Sequence, residues 1–250
     1  MTGRALSMVV PLYNEERRLG RLVEHIARYA EDDVAAAGMR LIEVIAVDDG
    51  STDRTPELLR AAEAELGLLR AVSDGSPNAG KGVALARGIA QARAEWVLLA
   101  DADLATPLDQ LCALTPFLDQ GYEVVIASRD LPGSVLTGAP RHRFLLGRTF
   151  HKLVRAVTGL QLRDTQCGFK LLRTARAREL TRDQIVRRFA FDVELLLRAH
   201  RCGLKIAEAP VYYVHGEDSK INALRAGARM VLDLACLISA LGPPSRPRHR

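Results

Sequence analysis

Five short apolar runs, at residues 6–11, 41–47, 68–72, 96–99 and 123–126, are separated by longer stretches with helical periodicity. Apolar runs of this length read as strands buried on both faces, and the stretches between them are long enough to hold crossover helices. After the first run, Leu19, Leu22, Val23, Ile26 and Tyr29 recur at helical spacing, with Asn14 as the expected N-cap. Thr55-Pro56 opens a second helix carrying Leu58, Leu59, Ala62 and Leu66. A third follows Lys81-Gly82, with Val83, Ala86, Ile89 and Ala90 on one face. This alternation predicts an α/β class protein with right-handed crossovers and a mainly parallel sheet covered by helices on both faces. Ligands of such sheets collect beyond the carboxyl ends of the strands.

The polar clusters fall at those ends. Tyr13-Asn14-Glu15-Glu16 follows the first run, Asp48 to Asp53 the second, and Asp101 to Thr106 the fourth. In Asp101-Ala102-Asp103 two carboxylates spaced i, i+2 on extended backbone point the same way. They repel unless a divalent cation and its ligand stand between them, and the alternative is an Asx turn closing the strand. Asn78-Ala79-Gly80-Lys81-Gly82 resembles a phosphate cradle, with glycines to expose N–H groups and a lysine at a helix start, although the Walker A spacing is absent. Asp48-Asp49-Gly50-Ser51 is either a tight turn or a pair of carboxylates placed to accept hydrogen bonds from a base or ribose. A nucleotide with a metal is the expected occupant of this rim.

Composition narrows the class. A chain of 250 residues with 48% hydrophobic content is sufficient for one large α/β domain. A net charge of +5 suits phosphorylated or polyanionic partners, though arginine-rich chains reach such values without one. Cys112, Cys167, Cys202 and Cys236 form no CxxC pair, which indicates neither a zinc knuckle nor a disulfide framework and fits a reducing cytosol. No uncharged run reaches the roughly 20 residues of a spanning helix, and no basic-then-apolar signal segment opens the chain. Aromatics make up 5% and no nucleic-acid-binding signature occurs, so a nucleic-acid partner is not expected.

The second half is dense in arginine. Phe144, Leu145, Phe150, Leu153, Val154 and Val157 predict a helix with Arg141, Arg143 and Arg148 around its start. Residues 163–170 read as a polar loop, and residues 191–200 as a helix turning Val193, Leu196 and Leu197 inward. Residues 205–214 read as one or two final strands. Residues 221–241 are expected to form an amphipathic helix lying on a surface, stopped by Gly242-Pro243-Pro244 and followed by a basic, disordered tail.

Four motifs in order, Val9-Val10-Pro11-Leu12-Tyr13-Asn14-Glu15-Glu16, Val47-Asp48-Asp49-Gly50-Ser51-Thr52-Asp53, Gly80-Lys81-Gly82 and Asp101-Ala102-Asp103, resemble those of inverting family 2 glycosyltransferases of GT-A fold. Ala127-Ser128-Arg129, Arg163-Asp164-Thr165-Gln166-Cys167-Gly168-Phe169-Lys170, Phe189-Ala190-Phe191-Asp192-Val193-Glu194-Leu195-Leu196 and Ser219-Lys220 are similar to dolichyl-phosphate beta-glucosyltransferases and bacterial polyprenyl-phosphate relatives. The resemblance covers residues 5–235 and implies a nucleotide-diphospho-sugar transferase fold with a Rossmann-like central sheet. It also implies metal-dependent, inverting transfer of a hexose, glucose from UDP-glucose first, to polyprenyl or dolichyl phosphate. GDP-mannose as donor, a soluble hydroxyl acceptor, and a non-catalytic polyanion-binding protein are the alternatives.

By position, Pro11, Tyr13, Glu15 and Asp49 would hold the uridine or its ribose, with Asp48 and Lys81 nearby. Asp101 and Asp103 would bind Mg²⁺ or Mn²⁺ on the diphosphate, Asp103 more directly, and Ser128, Arg129, Arg143 and Arg148 would face the acceptor phosphate. Asp192 corresponds to the base-position carboxylate of the wider family, either vestigial or used to recognise a sugar hydroxyl, or it caps a helix, and His215 is a metal ligand or a polar strand-end residue. The expected organisation is a transferase domain over residues 1–216, the amphipathic helix over 217–241 and the tail over 242–250. With no long amino-terminal anchor or paired membrane helices, that helix would seat the protein peripherally on the cytoplasmic membrane face. The acceptor chemistry agrees, because a phosphate monoester with a second pKa near about 6 is largely anionic at neutral pH. It needs positive charge to align it, whereas a hydroxyl needs a general base.

Overall fold

The computed structural model describes residues 3–138, 141–214 and 223–242, with side chains at 141–149 and 223–228 outside that description. Strands form where the apolar runs predict them: β1 (Arg4–Leu12), β2 (Met39–Asp48), β3 (Leu69–Val72), β4 (Trp96–Leu99) and β5 (Val124–Ser128). Between them run α1 (Leu19–Ala36), α2 (Thr55–Glu65), α3 (Lys81–Gln91) and the short α4 (Leu111–Leu114) and α5 (Pro116–Asp119). The second half supplies β6 (Val135–Thr137), α6 (Arg141–Thr158), β7 (Lys170–Arg173), α7 (Thr174–Thr181), α8 (Phe191–Arg201), β8 (Ile206–Pro210), β9 (Tyr212–Val214) and α9 (Ala223–Leu241).

Seven strands pair in the order β3-β2-β1-β4-β7-β5-β8, and β6 pairs with β9 in a separate two-stranded sheet. Every pairing in the large sheet is parallel except the two made by β7, which runs antiparallel to β4 and β5. Successive side chains on a strand point to opposite faces, so each central strand feeds two cores. Met8, Val10, Val44, Ala46, Leu98 and Val125 face one side with Leu22, Ile26 and Leu59 from α1 and α2. Val9, Ile45, Val47, Val97, Leu99 and Ile126 face the other with Leu85, Ile89, Phe191 and Leu196 from α3 and α8. Double coverage explains why these strands read as unbroken apolar runs.

Three expectations are corrected. Asn14 caps no helix: it has a left-handed backbone (φ 55°), and its Oδ1 accepts the N–H groups of Thr52 (2.8 Å) and Asp53 (3.4 Å). The residue at the N-cap of α1 is Arg18, without a side-chain cap. The buried stripe of α3 is Gly82, Ala84, Leu85, Gly88 and Ile89, one step round from the expected face, and Ala90 is exposed. Glycine at positions 82 and 88 hides that stripe from a hydropathy reading, although a Cβ on Gly88 would stand 2.3 Å from Val9 Cγ1. Finally, residues 163–170 are not all loop, because Lys170 begins β7 opposite Leu99. β7 thereby carries the preceding segment to the carboxyl rim of β1, β2 and β4.

Candidate active site

At that rim a cavity of about 530 Å³ opens between the loops after β1, β2 and β4 and the start of α3. Its walls include Pro11, Tyr13 and Glu15 from the first loop, Asp49 from the second, Lys81 from α3, and Asp101 and Asp103 from the fourth-strand loop. The first two loops are fastened to each other: Asn14 N–H donates to Ser51 Oγ (2.9 Å), Glu15 N–H to Thr55 Oγ1 (2.8 Å) and Arg54 N–H to Glu16 (3.2 Å). Tyr13 is left 44% exposed, its ring available to a flat ligand. The walls also include Arg18 and Arg188, which belong to no motif and were not expected.

The two motif carboxylates have different surroundings. Lys81 Nζ lies 2.6 Å from Asp101 Oδ1. Burial alone would push the Asp101 carboxyl up, but Lys81, joined by Lys170 and Arg129, outweighs it and holds it below its ordinary value. Burial likewise pulls the Lys81 ammonium down, and Asp101 with Asp192 more than reverse this, keeping it charged. A Cβ on Gly168 would stand 2.1 Å from Asp101 Oδ2, so the loop before β7 closes over Asp101 only because residue 168 is glycine.

Asp103 forms an Asx turn, its Oδ1 accepting the Ala105 N–H at 3.1 Å, beside Leu104 in left-handed backbone (φ 47°). Its Oδ2 is 4.0 Å from Arg18, whose guanidinium is also held by Glu15 at 2.7 Å. Burial first, and the charge of Asp101 second, push the Asp103 carboxyl above its usual value. The Asx-turn and metal readings are therefore compatible, since one oxygen closes the turn and the other is left with weakly offset charge.

Those residues fit a hard divalent cation. Carboxylate oxygens suit Mg²⁺ or Mn²⁺, and the Asp103 oxygen outside the Asx turn has its nearest ion-pair partner, Arg18, 4.0 Å away. Among the described residues no three His, Cys, Asp or Glu side chains converge on one point. A cation here would take its remaining ligands from diphosphate and water, the usual arrangement for Mg²⁺.

The glycine-rich turn is not a backbone phosphate cradle. The N–H groups of Ala79 (3.0 Å) and Gly80 (2.7 Å) donate to the Asp49 carboxylate, and those of Gly82 (2.9 Å) and Val83 (3.3 Å) to the carbonyl of Arg187. Asn78 Nδ2 adds a further bond to Asp49 Oδ2 at 2.9 Å. Asp49 thus lines the cavity while its carboxylate accepts three hydrogen bonds from residues 78–80, which makes it the strut that shapes the turn. Asp48 is corrected outright: it is 4% exposed, accepts the Ser51 N–H at 3.2 Å, and lies outside the cavity wall.

Among the residues expected to face an acceptor the structure again redistributes roles. Arg129 follows β5 and is gripped through Nε (2.6 Å) and Nη2 (3.0 Å) by Asp164, which is wholly buried. Burial would raise the Asp164 carboxyl, but Arg129 and then His151 hold it well below the carboxylate range. His151 bridges Asp130 Oδ2 (2.9 Å) and Asp164 Oδ1 (3.3 Å). The Asp164 part of the Asp-Thr-Gln-Cys-Gly-Phe-Lys run therefore orients Arg129, a job no local spacing reveals. Ser128 is fully buried, its carbonyl accepting Ser134 Oγ at 2.6 Å, so it does not face an acceptor. The side chains of Arg143 and Arg148, and all of His215, Ser219 and Lys220, lie outside the described residues.

Asp192 is neither cap nor free base. Ala190 occupies the N-cap of α8, and Asp192 Oδ1 accepts Lys170 Nζ at 2.5 Å in a pair with Lys170 wholly buried. Lys170 also donates to the carbonyl of Cys167. Separating such a pair leaves a buried charge at a cost of about 3–5 kcal/mol. One of its two carboxylate oxygens is thus held by Lys170, and Asp192 is not among the residues lining the cavity.

Residues 7–181 match the family model described as glycosyl transferase family 2. A dolichyl-phosphate beta-glucosyltransferase from Drosophila melanogaster is 35% identical over 237 residues, covering 92% of this chain and 73% of that protein. Its Homo sapiens counterpart is 35% identical over 243 residues, with 92% and 74% covered. Among solved structures, glucosyl-3-phosphoglycerate synthase from Mycobacterium tuberculosis with Mn²⁺, UDP-glucose and phosphoglyceric acid superposes with a TM-score of 0.66 at 23% identity, covering 97% of this chain and 81% of that one. That likeness shows the shared GT-A fold.

Proposed function

This chain belongs to glycosyl transferase family 2, and from that membership we propose that it moves glucose from UDP-glucose onto the phosphate of a dolichyl or polyprenyl lipid. The observation that carries the reading is the convergence of Tyr13, Lys81, Asp101 and Asp103 on one cavity beyond the carboxyl ends of β1 and β4. Relatives named for transfer to dolichyl phosphate cover most of the chain, which supports the lipid acceptor.

In this mechanism the acceptor oxygen bonds to the anomeric carbon on the face opposite the diphosphate, whose bond to that carbon breaks, inverting its configuration. Tyr13 walls the nucleotide end, and Asp101 and Asp103 present the oxygens that would hold Mg²⁺ or Mn²⁺. When bound, that ion supplies neutralising charge to the diphosphate as it leaves. Lys81 keeps Asp101 ionised and in place, and Arg129, held by Asp164, is the residue that would meet the acceptor phosphate. With Asp192 Oδ1 held by Lys170, this reading asks for no free base there, because an acceptor that arrives ionised needs none.

Membrane contact is the coarser part of the reading. Among the described residues no helix is long and apolar enough to cross a membrane. α9 buries Leu234 and Leu237 in the same core as α8, and its outward face carries Val231 (45% exposed) and Leu232 (66% exposed). That outward face is the part suited to lie on the cytoplasmic surface of a bilayer.

Radiolabelled UDP-glucose incubated with polyprenyl phosphate and Mg²⁺ or Mn²⁺ tests the reaction. Labelled lipid phosphate is expected, with loss on chelation and at least a hundredfold loss in Asp103→Ala. No product with metal present, or full activity in Asp103→Ala, would refute it, and competition by GDP-mannose would reassign the donor.

A further inference from the structure

Gly80 and Gly82 are explained by what presses on them. A Cβ on Gly80, whose φ is 113°, would stand 2.4 Å from the carbonyl oxygen of Arg187 and 2.9 Å from Arg188 Cγ. One on Gly82 would stand 2.7 Å from Phe191 Cβ. Residues 183–190 therefore sit directly on the first turn of α3, and they are pinned on both flanks. On one, the Arg187 carbonyl accepts the Gly82 and Val83 N–H groups at 2.9 and 3.3 Å. On the other, Glu194 of α8, itself 1% exposed and held by Arg198 at 2.7 Å, accepts the N–H groups of Ile185 (2.9 Å) and Val186 (2.6 Å).

Fixed in this way, the segment sets Arg188 on the cavity wall with Lys81, Asp101 and Asp103. The other basic side chains on that wall are committed, Lys81 to Asp101 at 2.6 Å and Arg18 to Glu15 at 2.7 Å. Arg188 is exposed and makes no ion pair within the described residues, though its charge is felt at Asp233 of α9. A guanidinium presents paired N–H donors that match phosphate oxygens, and it stays charged at any working pH.

We propose that Arg188, delivered by the segment seated on Gly80 and Gly82, binds the donor's diphosphate and steadies it as the leaving group. The inference rests on the donor-site reading above, and it moves anion binding from the backbone of the glycine-rich turn to a side chain on the segment docked against it.

Calorimetric titration of UDP and of uridine, each with Mn²⁺, into wild type, Arg188→Gln and Arg188→Lys tests this. UDP affinity should fall about tenfold or more in Arg188→Gln while uridine affinity stays within about twofold, the loss of one charge-assisted contact. Arg188→Lys should recover part of the loss. Unchanged UDP affinity in Arg188→Gln, or equal weakening of UDP and uridine, would overturn the assignment. Wild-type protein that bound neither would overturn the donor site itself. Gly80→Ala, which displaces the segment and leaves the Arg188 charge intact, should also weaken UDP, and unaltered binding would contradict delivery by the segment.

Discussion

Asp103 shows how a single side chain couples the cavity to stability. Its carboxyl is raised by burial and by Asp101, so in the fold it keeps a proton at pH values where the unfolded chain has released it. Stability therefore declines as pH climbs from the ordinary carboxylate value through the raised one, and the cost persists above that window until a cation offsets it. Asp103→Asn should raise the metal-free Tm at pH 7 by about 2–4 °C, the shift that roughly 1 kcal/mol makes in a chain of this size. The gain should vanish near pH 4, and UDP-dependent Mn²⁺ binding should fall about tenfold or more. Thermal melts across pH with Mn²⁺ titrations check this, and a lower Tm at pH 7 would contradict it. The Asp-Ala-Asp spacing made this residue legible in the sequence. Arg18 and Arg188 were not, because they carry no motif and reach the cavity only through the loops that hold them. The ion pair of Asp192 was not visible because its partner, Lys170, is distant in sequence and enters on the antiparallel strand.

Elements differ in how far local pattern determines them. The strands buried on both faces were visible as apolar runs, whereas β7 has four residues bounded by Lys170 and Arg173 and owes its place to the gap between β4 and β5. The face of α3 was displaced because two of its buried positions are glycines chosen for close approach, which hydropathy does not register. In α9 the expected amphipathic character is real, but its inner stripe packs against the body of the protein, with Leu237 fully buried. Among its described side chains, only Val231, Leu232 and their small neighbours are left to meet a bilayer. Replacing Val231 and Leu232 together by Ser should change stability by less than about 0.5 kcal/mol each and weaken binding to vesicles carrying polyprenyl phosphate several-fold. Leu237→Ala should instead cost about 2–4 kcal/mol in urea unfolding. Vesicle binding unaltered by the outward pair would remove α9 as the interfacial element.

At the scale of the whole molecule, the sheet brings residues far apart in the chain to one rim: Tyr13 after β1, Lys81 at the start of α3, and Asp101 and Asp103 after β4. The alternation of elements implies a mainly parallel sheet covered by helices, which is why the fold class was readable in the sequence. The residues expected at the acceptor were less so, since Asp164, His151 and Lys170 act through contacts between positions distant in sequence within the second half. Those contacts orient Arg129 and engage one oxygen of Asp192, and the proposed function takes the result as a site for an acceptor that is already an anion. Transfer of glucose from UDP-glucose to polyprenyl phosphate and to the corresponding polyprenol, measured side by side with Mn²⁺, tests that claim directly. Glucosylated lipid phosphate with no detectable glucosylated alcohol is the predicted result, and comparable transfer to the alcohol would contradict it.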